Sequence, residues 1–378
     1  MKKMTEEELI TIRRELHQIP EIGMEEFQTA EYLLNKIAEL PQEKLDIKVQ
    51  DTAIIVVVKG SQPTKVIGWR TDMDALPITE QTDLPFSSQH EGVMHACGHD
   101  IHMTIALGLL DKVIAQPLKE DILFFFQPAE ENKSGAKRYT DNGFLDVSKI
   151  DEMYGLHVNP DLPVGVIATA VGTMFAGDSS FKVTFTGKES HAALPHEGND
   201  MIVATASFIQ QAQTIISRNV NPMQSAVITF GELNAGFASN ILPGTATLSG
   251  TIRTLTHDMT HLVTSRINEI ANGIAVSFQC DVSIEFDDLG YVPVVNDDAT
   301  TTRLIDFLSL RPDIELVASE PLMTAEDFGY ILKQMPGTMI WLGVDSEYGL
   351  HHPKFNPNEQ AIQKAVSVIG DYLVALAK

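Results

Sequence analysis

Five short apolar runs, each stopped by breaking residues, constrain this chain more than any other feature: residues 54–58 (IIVVV), 66–69 (VIGW), 122–126 (ILFFF), 153–156 (MYGL) and 339–342 (MIWL). Runs that are apolar at successive positions, rather than at every second one, read as strands covered on both faces. Before them, Leu9, Ile12 and Leu16, then Phe27, Ala30, Leu33, Leu34 and Ile37, recur at helical spacing with an interruption near Pro20, so two helices open the chain. Another helical pattern covers 101–114, with Asp100 as the expected N-cap before Ile101, Ile105 and Leu109. Strands alternating with helices predict an α/β fold with a mixed, mostly parallel sheet and helices on both faces.

The middle of the chain is patterned differently. Phe181, Val183 and Phe185 alternate with polar residues, as do Cys280, Val282, Ile284 and Phe286, which marks strands with one wet face. Between them the spacing predicts a helix over about 200–217, strands over 225–233 and 245–254, and a helix over about 258–274. That order, β-α-β-β-α-β, is the ferredoxin-like split. The change from two-sided to one-sided strands places an α+β domain at 175–289, inserted into a first domain made of 1–174 and 290–378. There are no internal repeats and no low-complexity tract.

With 27 basic and 51 acidic residues, the net charge of −24 repels phosphate backbones and anionic lipid surfaces, so neither nucleic acid nor a membrane is an expected partner. No apolar run approaches the roughly 18 residues that span a bilayer. The charged start, with no apolar segment after it, reads as a chain that is uncleaved and cytoplasmic. Two cysteines, Cys97 and Cys280, are too few for a disulfide framework. Cys280 lies on the apolar face of its strand and reads as a small hydrophobe.

Cys97 has different company. Ionisable residues collect where the two-sided strands end: Arg70, Asp72 and Asp74 after 66–69, Glu130 and Glu131 after 122–126, His157 after 153–156, and His351 and His352 after 339–342. In open α/β sheets ligands bind at the carboxyl edge, so these groups are expected to meet. Cys97 and His99 stand two apart, so in an extended segment they point the same way, and Gly98 between them allows close backbone approach to an ion. Thiolate, imidazole and carboxylate donors suit zinc or a similar divalent ion, and there are more of them than one tetrahedral site needs, which predicts two adjacent ions. Of the neighbours Glu130 and Glu131, one can ligate while the other takes a proton from water, a hydrolase arrangement. Each residue also has a plainer reading. The glutamates alone would be a solvated face, Asp72 and Asp74 could cap the turn before Pro77, and His102 reads as helix surface or as a support behind the ligands. His257 and His261 read as exposed helix residues with no chemistry. One of Asp72 and Asp74 orienting a ligand imidazole is the support such sites need.

On these residues the chain resembles, over essentially its whole length, the M20 metallopeptidase family in its amidohydrolase branch. The resemblance rests on residues 14–21 (RELHQIPE), 70–77 (RTDMDALP), 94–102 (MHACGHDIH), 126–131 (FQPAEE), 155–158 (GLHV), 325–328 (AEDF) and 350–355 (LHHPKF). It implies that Cys97, His99, Glu131, His157 and His351 bind two divalent ions per subunit, of zinc, cobalt, manganese or nickel, with Glu130 as the base. His351 rather than His352 is chosen as the histidine two before the proline. The resemblance also implies that the inserted domain is a lid through which the chain forms a homodimer. Within 187–195 (GKESHAALP), His191 then reaches a neighbouring subunit's site to polarise the scissile carbonyl. Asn240 and Arg253 resemble residues that hold a substrate carboxylate, a task suited to a guanidinium fork. After Glu131 many relatives continue with a glycine-rich stretch where this chain has Asn132-Lys133-Ser134-Gly135.

The implied reaction is metal-dependent hydrolysis of a small N-acyl amino acid, with N-acetyl-L,L-2,6-diaminopimelate as the expected substrate. The rivals are hydrolysis of another N-acyl amino acid or of a dipeptide, and a dimeric metal-binding interaction protein without activity.

Overall fold

The structure, a computed structural model, describes residues 3–287 and 290–378. The expected end of the inserted domain at 289 lies outside these residues, as do the first two residues of the charged start. Two compact units are present. Unit 1 comprises Met1–Met174, Val295–Glu320 and Tyr330–Lys378, and unit 2 comprises Phe175–Val294 and Pro321–Gly329.

In chain order the first stretch runs α1 (Glu6–His17), α2 (Phe27–Ala38), β1 (Leu45–Gln50), β2 (Ala53–Val58), β3 (Val66–Asp72), α3 (His99–Ile114), β4 (Asp121–Gln127), α4 (Glu130–Lys133), α5 (Gly135–Asp141), β5 (Glu152–Asn159), β6 (Val166–Thr169) and β7 (Gly172–Phe175). The middle stretch runs β8 (Gly177–Thr186), β9 (Ser190–His191), α6 (Met201–Arg218), β10 (Ala226–Ala235), β11 (Ile241–Leu242), β12 (Thr245–Thr254), α7 (His257–Phe278) and β13 (Asp281–Phe286). The last stretch runs β14 (Val294–Asn296), α8 (Asp298–Ser309), β15 (Glu315–Ala318), α9 (Phe328–Leu332), β16 (Gly337–Gly343) and α10 (Gln360–Leu376).

Unit 1 is built on an eight-stranded sheet in the order β1-β2-β4-β3-β5-β16-β6-β15. Its four central strands, β4, β3, β5 and β16, are mutually parallel, and antiparallel partners flank them. Parallel strands without a wet face must be covered twice, and the residues of β4 show how. Phe124 and Phe126 point into the core shared with α1, α3 and α10, whereas Phe125 points the other way and meets Tyr139 of α5, ring centroids 6.3 Å apart. The helix α3 is buried on nearly every side, as its sequence of Ile, Met, Leu and Val around Gly108 allows. A capping box starts α1: Glu8 N–H donates to Thr5 Oγ1, and Thr5 N–H donates to the Glu8 carboxylate.

Unit 2 has a four-stranded antiparallel sheet in the order β10-β12-β8-β13, with α6 and α7 packed on one face. Numbered within the unit, the strand order is 2-3-1-4, the ferredoxin-like arrangement. Asp200 caps α6 by accepting from Ile202 and Val203 N–H, so this helix begins where the sequence predicts.

One expected cap is corrected. Asp100 does not start α3; the helix begins at His99, with Gly98 in the cap position at φ +85°. Asp100 is unavailable because its Oδ2 forms an ion pair with Arg13, Nε at 2.9 Å, and accepts from His17 Nδ1 at 2.7 Å, both on α1.

Candidate active site

The parallel strands carry their polar residues to one edge of the unit 1 sheet. Asp72 ends β3, Gln127 ends β4 and leads through Pro128-Ala129 into Glu130 and Glu131, and His157 lies in β5. The strand β5 continues two residues past His157, so this histidine stands inside the strand rather than after it.

Five donors converge here. Cys97 Sγ lies 3.3 Å from His157 Nε2 and 3.3 Å from His351 Nε2. Glu131 Oε1 lies 3.3 Å from His351 Nε2 and 4.0 Å from His99 Nε2. The donor atoms of Cys97, His99 and His157 fall within 4.8 Å of one another, as do those of Cys97, Glu131 and His351, and those of His99, Glu130 and Glu131. Cys97 and His99 come together by a different route from the expected extended segment. Residues 95–98 form a turn, Gly98 takes the left-handed conformation, and His99 is the first residue of α3. A Cβ at Gly98 would sit 2.6 Å from Val158 Cγ2, so only glycine makes this turn against β5.

Each imidazole is aimed by its other nitrogen. His99 Nδ1 donates to the Asp74 backbone carbonyl at 2.8 Å and His157 Nδ1 to the Val158 carbonyl at 2.8 Å, so both turn Nε2 toward the cluster. His351 adopts φ +63°, and its N–H donates to the Ala96 carbonyl at 2.8 Å, tying it to the cysteine segment. His352 is elsewhere: it stacks on Tyr348 with centroids 4.5 Å apart, and its Nδ1 accepts from Lys354 N–H.

The two aspartates do different things. The Asp74 carboxylate accepts from Glu130 N–H through Oδ1 at 3.0 Å and from Glu131 N–H through Oδ2 at 2.9 Å, fixing the base of the glutamate pair. Asp72 accepts from Arg70 Nη1 at 2.8 Å and from His102 Nδ1 at 2.7 Å. His102 is buried, which corrects its reading as helix surface. Its Nε2 accepts from Val158 N–H at 3.0 Å, so both ring nitrogens are spent holding β3 and β5.

The residues present fit a divalent cation. His99 Nε2 and Glu131 Oε1 are buried with no hydrogen bond. Such atoms are costly unless something positive binds them. Burial opposes charge on His99, yet Asp72, Asp74 and Glu131 pull its pKa up to about 10, so these acids demand a positive charge at its position. Burial and the neighbouring Glu131 and Glu130 push the Cys97 thiol up, so it needs a bound cation to become a thiolate ligand. Burial, reinforced by His102, holds His157 down at about 3 and therefore neutral, as a ligand must be.

In unit 2, His191 and Asn240 are neighbours: Ile241 pairs with His191 across β9 and β11, and Ala192 N–H donates to the Asn240 carbonyl at 3.1 Å. Both are exposed. Arg253 lies on β12 and forms an ion pair with Asp178, Nη2 to Oδ2 at 3.0 Å. His261 is exposed on α7, whereas His257 is half-buried.

Sequence reasoning passed over Arg13, His17, Glu80 and Glu26. His17 bridges Asp100 and Glu80, the latter 3.2 Å from Nε2, behind the start of α3. His95, between Met94 and Ala96, is fully buried near His17 and stands outside every donor group. His17 falls within the 14–21 motif, which gave it no role, and nothing in the spacing of Arg13, Glu80 and Glu26 distinguishes them from surface polar positions.

Residues 68–375 match the family described as Peptidase family M20/M25/M40. The chain is 52% identical over 368 residues to the N-acetyldiaminopimelate deacetylase of Streptococcus thermophilus, covering 97% of this chain and 98% of that protein. It is 51% identical over 369 residues to the protein of that name from Streptococcus pneumoniae, again covering 97% and 98%. Its fold matches the crystal structure of the YXEP protein of Bacillus subtilis, described as a dinuclear metal binding peptidase from the M20 family. The TM-score is 0.86 at 30% identity, with 98% of each chain covered.

Proposed function

The chain belongs to peptidase family M20/M25/M40, and from that premise we propose that it removes the acetyl group of N-acetyl-L,L-2,6-diaminopimelate, releasing acetate and L,L-diaminopimelate for lysine synthesis. The observation that carries the chemistry is the gathering of Cys97, His99, Glu131, His157 and His351 around one point, with Glu130 beside it. The substrate rests on the identity of 51–52% along nearly the whole chain to proteins that bear the deacetylase name.

Two divalent cations per subunit, of zinc, cobalt, manganese or nickel, when held by these five side chains, supply the Lewis acidity that brings the pKa of water from about 15.7 towards 7. Glu130 takes the proton of the attacking water. It then returns the proton to the amine nitrogen as the amide carbon–nitrogen bond breaks, so one carboxylate serves as base and then acid. Asp74 fixes the backbone of Glu130 and Glu131 by holding both their amides. Asp72 supports the site through His102 and Arg70. In this reading His191 polarises the acetyl carbonyl, while Asn240 and Arg253 take the substrate carboxylate. A guanidinium offers five N–H donors, so Arg253 can serve Asp178 and a ligand together. The reading carries with it a homodimer formed through unit 2 and a cytoplasmic location. Among the described residues, no helix is long and apolar enough to cross a membrane.

The test is acetate release from a panel of N-acetyl amino acids that includes N-acetyl-L,L-diaminopimelate, with added divalent metals and with a chelator. The proposal expects metal-dependent release that is fastest with the diaminopimelate derivative. Faster release from another member moves the substrate. Metal binding with no release from any member supports the non-catalytic rival.

A further inference from the structure

Glu26 is a fully buried carboxylate that the proposed reaction does not use. It sits at the N-cap of α2, yet its side chain does not cap that helix. Instead Oε1 accepts from Ala129 N–H at 2.8 Å, and Oε2 accepts from Thr52 Oγ1 at 2.8 Å. Ala129 is the residue before Glu130 and is left-handed, at φ +58° and ψ +44°. A non-glycine residue in that conformation is strained. The surrounding structure must therefore hold it there.

Three successive amides of this turn are thus held by two buried carboxylates: Ala129 N–H by Glu26, and Glu130 and Glu131 N–H by Asp74. The segment bearing Glu26 also presses directly on the turn. A Cβ at Gly23 would lie 2.8 Å from Ala129 Cα and 2.9 Å from Ala129 Cβ. Where the turn closes, Gly135 N–H donates to the Ala129 carbonyl at 3.0 Å, so both ends of the Ala129 unit are fixed. Burial, with the charge of Asp74 adding to it, pushes Glu26 up to about 7. A carboxylate kept in so unfavourable a place, without contact to any of the five metal donors, needs a reason.

We propose that Glu26 is a positioning residue for the glutamate pair: its bond to the Ala129 amide holds the left-handed turn that sends Glu131 to the cations and Glu130 to the water. The proposal rests on the hydrolase reading above. Losing the acceptor frees Ala129 to relax toward ordinary backbone angles, which swings the Cα–Cβ bonds of both glutamates. A misplacement of about 1 Å at a catalytic group costs on the order of a hundredfold.

The test compares Glu26→Ala and Glu26→Gln in the full chain by two readouts. One is kcat and KM for the best N-acetyl substrate. The other is titration with Co(II), followed by its visible spectrum and by calorimetry, which needs no turnover. Glutamine retains an oxygen that accepts from the Ala129 amide, so E26Q should keep kcat and Co(II) affinity within about threefold of wild type. E26A should lower kcat roughly 30- to 100-fold with KM within threefold, weaken Co(II) binding at least tenfold and change the spectrum. If E26A melts earlier but keeps kcat and Co(II) affinity within threefold, the role is structural only and the proposal fails. It fails equally if E26Q is as impaired as E26A. Should E26A not fold, Glu26→Asp, whose carboxylate is one methylene short of the Ala129 amide, takes its place: a tenfold loss of kcat or of Co(II) affinity supports the proposal, and unchanged values overturn it. If the wild type hydrolyses no N-acetyl substrate, the function assigned above fails while the Co(II) titration still decides the role of Glu26.

Discussion

Replacing Asp74 with asparagine removes one oxygen and leaves every atom of the main chain in place, so its consequence can be worked through. In the native site the two carboxylate oxygens each accept one backbone N–H, from Glu130 at 3.0 Å and Glu131 at 2.9 Å. Asparagine keeps one acceptor and turns an NH2 group against the other amide. The loss is one hydrogen bond to a charged group, about 1.5–3 kcal/mol, plus a buried N–H left unsatisfied, about 1–3 kcal/mol. The sum is about 2.5–6 kcal/mol, shared between folding and the aim of the glutamates. Since about 1.4 kcal/mol is a factor of ten in rate, D74N should lower kcat by on the order of a hundredfold even if a good part of the sum appears as lost stability. His99 keeps its bond to the Asp74 backbone carbonyl at 2.8 Å, although it loses the carboxylate charge 3.4 Å from its Nδ1. Acetate release at saturating substrate measures kcat, and chemical unfolding measures the rest. A D74N protein with kcat within threefold of wild type would refute the account of how the pair is held.

Three further outcomes are expected. Glu130→Gln should lower turnover at least about a hundredfold with metal content unchanged by elemental analysis, since a positioned acid–base group contributes roughly 10² to 10⁴; near-normal turnover would remove Glu130 from its role. His351→Ala should abolish activity and weaken metal binding while His352→Ala, which removes a ring stacked on Tyr348 and bonded to the Lys354 amide, leaves both within a few fold; the reverse pattern in a metal titration would exchange the two. Glu26, raised to about 7 in the fold from an ordinary value near 4.5, binds its proton more tightly folded than unfolded. Its contribution to stability is therefore full below pH 4.5 and is lost as pH rises through 7, by about 3 kcal/mol. Between pH 5 and 8, urea unfolding of the metal-free protein should show wild type losing stability relative to E26Q, and parallel pH curves would contradict this.

Much of the architecture could be read from residue order because burial writes itself into apolar pattern. The run ILFFF is apolar at every position because Phe124 and Phe126 face one layer and Phe125 the other. Two of the strands left unseen, β1 and β15, sit at the edges of the sheet and are mostly exposed or half-exposed, whereas β6 is buried throughout but only four residues long, too short a run to stand out. The donor residues were legible because thiol, imidazole and paired carboxylates at strand ends are rare company. Their assembly was less so. Cys97 and His99 meet through a left-handed glycine turn, which the extended reading of that segment missed. The separate tasks of Asp72 and Asp74 depend on which backbone amides come within reach, and Glu26 works through one such amide. Backbone donors carry no side-chain signature, so residues that act on them are indistinguishable in sequence from ordinary surface acids. Asp100 shows the same limit, since its partners Arg13 and His17 lie more than 80 positions away.

The central claim is that five side chains from distant segments hold a pair of divalent cations beside Glu130. Anomalous diffraction from crystals of the protein loaded with zinc or manganese tests it most directly. Two peaks are expected, each within about 2.0–2.3 Å of donor atoms, with all their side-chain ligands drawn from Cys97, His99, Glu131, His157 and His351. A single peak, or peaks that leave Cys97 Sγ and Glu131 uncoordinated, would contradict it.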